Sequence, residues 1–205
     1  TFGANTKHYQ PGLKDVSASH AGYITLGTGA VDDVLNTAWG AADQIMTVCA
    51  QTGADGEEAE SFKSLSAGYT PAGKVGELFG FALEAAASNS NMVRGTIMSA
   101  GAKVATGNGT ARQLGAVSAT QKLYAVMHVL AVSGTNPTLD VVVASDDAQG
   151  FASGVTRATF AQKTAIGAEW IEVSGAITDD WLRAQGTIGG TDNPSFTVAI
   201  LLAIM

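Results

Sequence analysis

Short apolar runs separated by glycine, proline and asparagine dominate the hydrophobic pattern of this chain. The clearest run is residues 123–132, rich in β-branched side chains, which ends at the Ser-Gly-Thr-Asn-Pro of residues 133–137. A second run, residues 139–143, follows at once. Each run is far shorter than the roughly 20 apolar residues that a membrane helix needs. Because glycine and proline interrupt a strand, residues 121–143 predict a β-hairpin with its turn at residues 133–137.

The same turn chemistry returns near the C-terminus. Residues 188–200 contain Gly-Thr, then Asn-Pro and a hydroxyl residue before an apolar run, in the same order as residues 132–143. Two strand-turn-strand units of this kind predict stacked sheets. A chance likeness is the alternative, since turns favour glycine, asparagine and proline in any protein.

One segment has helical periodicity. Its apolar positions recur at spacings of three and four and share one face: Val31, Val34, Leu35, Ala38 and Trp39. Thr28 is the expected N-cap, and Gly40 marks the expected end. The pattern predicts a helix at about residues 30–40 that docks on the edge or end of a β-sandwich, with Trp39 supplying much of the buried area.

Further strands are expected along the rest of the chain. Their predicted ranges are 21–26, 44–50, 61–69, 75–87, 92–99, 158–162, 169–174, 181–187 and 196–204. Residues 75–87 and 92–99 flank a Ser-Asn-Ser-Asn turn and predict a second hairpin. Many short strands with one helix predict a mainly β fold, an antiparallel β-sandwich or barrel with one short flanking helix.

Two polar stretches divide the chain. Residues 1–20 are interrupted by glycine and proline, which is typical of an extended arm. Residues 101–115 have few apolar side chains and contain the turn-forming Asn108-Gly109, so they are predicted to be a linker or long loop. The expected organisation is therefore a β unit at residues 21–100 and a second β-sandwich unit at residues 116–205.

Composition indicates a protein that packs against copies of itself. Only 14% of its 205 residues are charged and 7% are aromatic, so small polar side chains must cover much of the surface. The formal net charge of −7 argues against tight binding of nucleic acid, which requires clusters of lysine and arginine. The opening residues also lack the charged and apolar pattern of a secretion signal.

Candidates for catalysis are few. His8 and His20 lie on the polar arm, and His128 lies within a predicted strand, where a structural role is expected. The chain has no histidine or cysteine pair at zinc-ligand spacing and no Gly-x-Ser-x-Gly elbow, and Gly27-Thr-Gly29 lacks the third glycine of a dinucleotide loop. No catalytic, cofactor-binding or metal-binding residue is therefore predicted, and the chain is not expected to be an enzyme.

Acidic residues raise two other hypotheses. Asp55, Glu57, Glu58 and Glu60 fall within one loop, but their spacing matches no calcium loop, so a solvated loop is expected and a divalent-ion site is the alternative. The pairs Asp146-Asp147 and Asp179-Asp180 are carboxylates of the kind that glycosidases use. Both pairs adjoin turn residues, where aspartate forms local hydrogen bonds, and a turn role is expected.

Two further side-chain roles are predicted. Cys49 lies in an apolar run and is expected to be a buried free thiol. Trp181 and Arg183 alternate along a strand and are expected to face the same side, where a stacked pair at a subunit interface is a hypothesis.

The first half of the chain resembles a known family. Its opening residues, Thr1-Phe-Gly-Ala-Asn-Thr-Lys-His-Tyr-Gln-Pro-Gly-Leu-Lys-Asp-Val-Ser-Ala-Ser-His-Ala-Gly, are similar to the start of the tail tube, or major tail, proteins of long-tailed bacteriophages. The block from Gly73-Lys-Val-Gly-Glu-Leu-Phe-Gly-Phe to Met92-Val-Arg-Gly-Thr-Ile is similar to a later part of those proteins. From Leu123 onward the chain is similar to sandwich regions of phage virion proteins.

This resemblance implies a β-sandwich or barrel whose copies form rings that stack into a hollow tube. It implies no catalytic residue, a location in the virion tail after synthesis in the host cytoplasm, and tape-measure, tail terminator and baseplate proteins as partners. DNA would pass without specific binding, and an acidic wall would repel its phosphates. Residues 1–20 and 53–73 are the expected contacts between rings. The chain would hold either one tube domain with an outward sandwich or two tube-like halves.

Two other function classes are compatible with a β-sandwich. A capsid decoration or fibre protein would use the same sandwich in a trimeric knob and form discrete oligomers. A carbohydrate-binding module would need an exposed aromatic platform, for which Trp170 and Trp181 are the candidates.

Overall fold

The computed structural model describes residues 16–27, 30–41, 43–72, 78–88 and 90–205. The chain is mainly antiparallel β, with 64% of the described residues in strands, and the described part contains one short helix. The predicted fold class is confirmed at this level. No helix in the described part is long and apolar enough to span a membrane.

Strands make up almost all of the regular secondary structure. The helix is α1 (Val31–Ala38), and the strands are β1 (Ser17–Tyr23), β2 (Gln44–Cys49), β3 (Glu58–Ala72), β4 (Gly80–Ala87), β5 (Val93–Lys103), β6 (Gly107–Asn108), β7 (Arg112–Gln113), β8 (Lys122–Asp146), β9 (Val155–Thr159), β10 (Gly167–Ser174) and β11 (Trp181–Ile204).

The chain forms two compact units that interleave along the sequence. Unit 1 comprises Thr1–Gln44 and Lys63–Asn91, and unit 2 comprises Ile45–Phe62 and Met92–Met205. The sequence predicts consecutive units at residues 21–100 and 116–205 instead. The difference arises because strands pair with partners that are distant in sequence, which no local pattern records.

Unit 1 contains α1 and three antiparallel strands in the order β1-β4-β3. The helix is tied to this sheet by the Tyr69 hydroxyl, which donates a 2.5 Å hydrogen bond to Asp32. The expected N-cap Thr28 lies outside the described residues, and Ala30 precedes the helix without a side-chain cap. The expectation that Trp39 is buried is wrong, since its side chain is 57% exposed.

The predicted arm and the second predicted hairpin both need correction. Residues 1–15 of the arm lie outside the described part, but Ser17–His20 belong to β1 and pair with β4. The hairpin between residues 75–87 and 92–99 is wrong, because β4 pairs with β1 and β3 while β5 pairs with β3 and β11.

Unit 2 is organised around the pairing of β8 with β11. These strands contain 25 and 24 residues and are antiparallel along their whole length. One half of the ladder contains the start of β8 and the end of β11, and β10 and β5 pair with it. The other half contains the end of β8 and the start of β11, and β9, β6 and β7 pair with it. Residues 101–115, predicted to be a linker, therefore include two short strands of this sheet.

The hairpin predicted at residues 121–143 is wrong, because β8 continues through residues 133–137. Gly134 and Asn136 adopt positive φ angles of 100° and 48°, which bend the strand as a bulge and do not reverse it. The similar motif of β11 forms the facing bulge. Across the ladder, the Thr135 hydroxyl donates a 2.6 Å hydrogen bond to Asp192, and the Ser133 and Ser195 hydroxyls are 2.9 Å apart.

The bulges allow the two halves of the ladder to share one core. Its members include Leu123, Met127, Val141, Leu182 and Phe196, and all five are at most 2% exposed. A cavity of about 210 Å³ also lies between side chains of the two halves. A second cluster, which includes Val126 and Leu201, lies on the other face of the β5-β11-β8 sheet. Unit 2 thus buries both faces of this part of the sheet.

Candidate functional site

A cavity of about 750 Å³ opens on the outer face of the β5-β11-β8 sheet in unit 2. Strand alternation places it, because Leu123, Met127 and Val129 of β8 point into the core while His128 and Leu130 point to the opposite face. The strand β2 and the loop after it form the other wall. The lining includes Thr47, Cys49, Asp55, Ile97, Ala100, His128, Leu130, Thr197, Ala199 and Leu201.

His128 ends a chain of hydrogen bonds at this cavity. Its Nε2 lies 2.8 Å from the Thr47 hydroxyl, which is 2.9 Å from the Ser61 hydroxyl, which in turn donates to the Met46 carbonyl at 2.9 Å. The carbonyl can only accept, so the single Ser61 proton is directed to it, and Thr47 must donate its proton to Ser61. Thr47 therefore accepts from His128, and Nε2 carries a proton.

The other ring nitrogen of His128 is a hydrogen-bond acceptor at neutral pH. Burial lowers the pKa of His128 below its ordinary value, so the ring is neutral and Nδ1 holds a lone pair. Within the described part of the chain, Nδ1 has no hydrogen-bond partner, and His128 lines the cavity. The cavity thus combines apolar walls with polar groups that include His128, Thr197 and the Asp55 carboxylate.

This arrangement does not activate a nucleophile. The Thr47 proton points to Ser61, so His128 has no proton to abstract from Thr47. Cys49 lines the same cavity, but burial and the charge of Glu57 raise the pKa of its thiol, which disfavours the thiolate. The prediction that Cys49 is buried is wrong, because the residue is exposed at the end of β2.

The acidic loop after β2 is held by its own carboxylates. Glu57 accepts from the Thr52 hydroxyl at 2.8 Å and from the Gly53 and Ala54 N–H groups at 2.7 and 3.1 Å, and these bonds lower its pKa. Asp55 accepts from the Ala100 N–H at 2.5 Å. The described residues contain no group of three side chains placed to hold a metal ion.

The other two carboxylates of the predicted loop lie in β3 and have a basic partner. Glu58 and Glu60 both pair with Arg94 on β5, and the Glu58 and Arg94 side chains are largely exposed while that of Glu60 is partly exposed. Such exposed ion pairs contribute at most about 1 kcal/mol to stability. The loop therefore has a structural explanation, and the alternative of a divalent-ion site gains no support from its contacts.

The pair Asp146-Asp147 closes a loop. Asp146 is 2% exposed and accepts from the Ala148 and Ser153 N–H groups at 3.1 and 2.9 Å. Desolvation raises the pKa of Asp146, but hydrogen bonds from Ser153, Asp147 and Ala148 outweigh it and lower the pKa overall. The hydrogen bond to Asp146 raises the pKa of Asp147. Both aspartates thus act in a local turn, as the sequence predicts.

Asp179, just before β11, belongs to a polar cluster with Ser145 of β8 and Arg157 of β9. It accepts from the Ser145 hydroxyl at 2.6 Å and from the Arg157 guanidinium at 2.8 Å, and these contacts lower its pKa. Arg157 also donates to Ser145 at 2.6 Å. Since every member is used within the cluster, these residues stabilise the ends of the strands.

The structure separates the other candidate side chains. Arg183 stacks over Phe151 at 4.0 Å, so its aromatic partner is not Trp181 as predicted. Trp170 packs edge-on against Tyr124 with ring centroids 5.7 Å apart and donates to Glu172, which leaves it half-buried. His20 lies in β1, and His8 lies outside the described residues.

A second candidate site is an exposed apolar surface on unit 1. Ile24 donates a backbone hydrogen bond to Phe79 at 2.8 Å, which brings the segments around these residues together at one end of the β1-β4 pair. The side chains exposed there define the apolar end of unit 1: Tyr23 (66%), Leu26 (77%), Leu78 (72%) and Phe79 (47%). In the described part of unit 1, the buried apolar residues are Leu83 and Ala85 alone.

Neither site follows from the sequence pattern. The pattern places Leu78 and Phe79 in the predicted strand at residues 75–87 without indicating that both are exposed, and it predicts a structural His128 without indicating its partners. No protein-family model matches the chain, and no curated protein matches it.

Proposed function

We propose that the chain is a structural protein whose copies assemble into stacked rings and form the hollow tail tube of a bacteriophage. The apolar end of unit 1 carries this proposal, because four large apolar side chains are exposed at one end of the β1-β4 pair, while the buried apolar residues in the described part of the unit are Leu83 and Ala85. Large apolar side chains gathered in an exposed region are typical of interaction surfaces.

The free energy available from this surface favours association. Complete burial of a large apolar side chain contributes about 1.5–3 kcal/mol, so the four residues together supply several kcal/mol when a second copy covers them. The described part of unit 1, with three strands and two buried apolar side chains, makes a weak sheet on its own, since a small sheet needs an apolar face packed against another surface. Contact with a second copy meets this need.

Charge and resemblance support a tube for DNA. The net charge of −7 lets DNA pass without phosphate binding, and residues 1–22 and 73–97 resemble segments of tail tube proteins. In this proposal the chain works in the virion tail after synthesis in the host cytoplasm, with tape-measure, tail terminator and baseplate proteins as its other partners. The role requires no catalytic residue and no cofactor.

The test is assembly of the purified full-length chain, imaged by negative-stain electron microscopy. Rings and stacked tubes with a central channel are expected. The variant L78S/F79S removes half of the apolar end and should remain unassembled while its circular dichroism spectrum is unchanged. The variant V104S is the matched control, since Val104 is 73% exposed but lies in unit 2, and it should assemble normally.

Other outcomes would replace this proposal. Discrete trimers without tubes would identify a decoration or fibre protein. A persistent monomer that binds sugars would identify a carbohydrate-binding module.

A further inference from the structure

The cavity of about 210 Å³ between the two halves of the unit 2 ladder has a polar mouth and an apolar floor. The lining residues between Lys103 and Gly109 are half-buried or exposed, so they form the mouth. The floor is formed by apolar side chains that are at most 3% exposed: Leu139, Val141, Ala184, Val198 and Ile200. A molecule bound here would therefore place an apolar part inside and a polar part at the mouth.

Lys103 is the charged residue of this lining. It is the last residue of β5 and lies opposite Phe196 of β11, which is fully buried in the core. Because opposite residues of an antiparallel ladder point to the same face of the sheet, the Lys103 side chain leaves β5 on the core side. Its half-buried stem can cover apolar surface while the ammonium reaches the water at the mouth. Within the described part of the chain, Lys103 forms no ion pair.

The lining contains two other polar side chains, Asn108 and Ser99. Asn108 is at the mouth, where its side chain lies 3.0 Å from that of Gln185. Ser99 is 7% exposed and lies opposite Ile200, so its hydroxyl is on the floor. The lining residues include no aspartate or glutamate. The charge that a bound molecule meets is therefore positive.

We propose that this cavity binds a small apolar carboxylic acid in its anionic form, with the hydrocarbon part on the floor and the carboxylate beside Lys103. An apolar cavity of about 150 Å³ is sufficient to bind benzene, so this larger cavity accommodates a chain of about six to eight carbon atoms. The ammonium favours an anion over an amine or an alcohol of the same length. The site lies within unit 2 and does not depend on assembly of copies.

Gly186 of β11 provides part of the room in this cavity. It lies opposite Val141, whose side chain is on the floor, so a Cβ atom at residue 186 would point to the same side. The nearest heavy atom to that Cβ would be Leu139 Cδ1 at 3.8 Å, which is an ordinary contact. The methyl group of G186A would therefore enter the cavity without a clash and take volume from the bound chain.

The test is equilibrium dialysis of radiolabelled hexanoate against the full-length chain at neutral pH. We expect saturable binding of one hexanoate per chain, and hexylamine should bind about three- to tenfold more weakly, the effect of one partly exposed charge pair. From butanoate to hexanoate the affinity should rise about fourfold per methylene group, because each methylene is buried. The increase should stop once the chain fills the cavity.

Three variants locate the bound molecule. K103M keeps the apolar stem and removes the charge, so it should weaken hexanoate binding about three- to tenfold and leave 1-hexanol binding unchanged. G186A should weaken the binding of both molecules. S99A should strengthen the binding of both, because the chain then no longer covers a hydroxyl group.

Matched controls are available for the charge and for the glycine. Lys122 lies at the start of β8 outside the lining, and K122M should bind hexanoate like the wild type. Gly150 is also outside the lining and a Cβ atom there meets nothing within 4 Å, so G150A should have no effect. The circular dichroism spectrum of each variant should match that of the wild type.

Several outcomes would overturn this site. Equal affinities for hexanoate and hexylamine, or K103M that still prefers hexanoate, would contradict an anion beside Lys103. Binding that does not saturate, or an affinity that continues to rise far beyond octanoate, would show adsorption to exposed apolar surface. Full binding to G186A would place the molecule elsewhere. Dialysis counts bound molecules whether or not copies assemble, so these results do not depend on the tube proposal.

Discussion

At the scale of single residues, the hydroxyl protons of Ser61 and Thr47 determine which ring nitrogen of His128 is protonated. Ser61 and Thr47 each have one hydroxyl proton, and both are used in the direction of the Met46 carbonyl. The imidazole must therefore donate through Nε2. The sequence predicts that His128 is structural, but Thr47 lies 81 residues away and no local pattern connects the two. Only the folded sheet shows that the ring also lines a cavity.

The lowered pKa of His128 predicts a pH-dependent stability. In the unfolded chain the imidazole has its ordinary value near 6.5, so between this value and the lower folded value the unfolded chain binds one more proton. The free energy of unfolding should therefore fall as the pH drops below about 6.5 and level off below the folded pKa. H128F should lack this component, while Cys49 and Asp55 in the same cavity are unchanged.

The measurement is urea unfolding of both proteins from about pH 5 to pH 8, at a concentration where copies are dissociated. The difference in unfolding free energy between wild type and H128F should shift across this range in favour of H128F at low pH. A constant difference would show that His128 does not titrate as its burial requires.

At the scale of elements, the Gly-Thr-Asn-Pro segment of β8 and the Gly-Thr-Asp-Asn-Pro segment of β11 show why the local sequence of a bulge predicts a turn. Both structures use glycine and asparagine at positive φ, so their local sequences are alike. A turn reverses the chain and a bulge does not, and the strand that pairs with the segment determines which of the two forms. In this chain the motifs of β8 and β11 face each other, and each strand remains paired on both sides of its bulge.

The facing bulges make Gly134 sensitive to substitution. Its φ angle is 100°, and a Cβ atom would lie 2.7 Å from the Pro194 Cα. G134A should reduce the free energy of unfolding by about 2 kcal/mol or more, the usual effect of a strained backbone at one residue. Urea unfolding measures the change.

Gly150 provides the matched control, because a Cβ atom there would meet nothing within 4 Å. G150A should change stability by less than about 0.5 kcal/mol. Equal effects of G134A and G150A would contradict the close approach of the two bulges.

At the scale of the whole molecule, the two units differ in how they use apolar residues. Unit 2 buries two apolar clusters and also exposes side chains such as Val104 and Ile166, whereas the described part of unit 1 exposes Tyr23, Leu26 and Trp39 and has no cluster of this kind. Hydrophobic patterning predicts strands and a helix in unit 1 on the assumption that their apolar faces are covered within the chain. That assumption fails when another copy supplies the cover, as the proposed assembly requires.

The proposed contact between rings predicts the effect of a deletion. Removal of residues 1–15 leaves all of β1 in place, whereas removal of the whole predicted arm would cut into that strand. The shortened chain should keep its circular dichroism spectrum and form single rings that do not stack. Electron microscopy and sedimentation velocity distinguish the two states. Tubes of normal length would show that residues 1–15 are not needed for stacking.

Local sequence is sufficient to predict the mainly β class, the helix at Val31–Ala38 and most strand positions, because side-chain periodicity and turn residues act within a few positions of the chain. Three features need the complete fold: which strands pair, the bend of β8 at residues 133–137 without reversal, and the meeting of His128 with Thr47 at a cavity. They depend on residues far apart in the chain, and they are selected by the burial and hydrogen bonding that those distant residues provide.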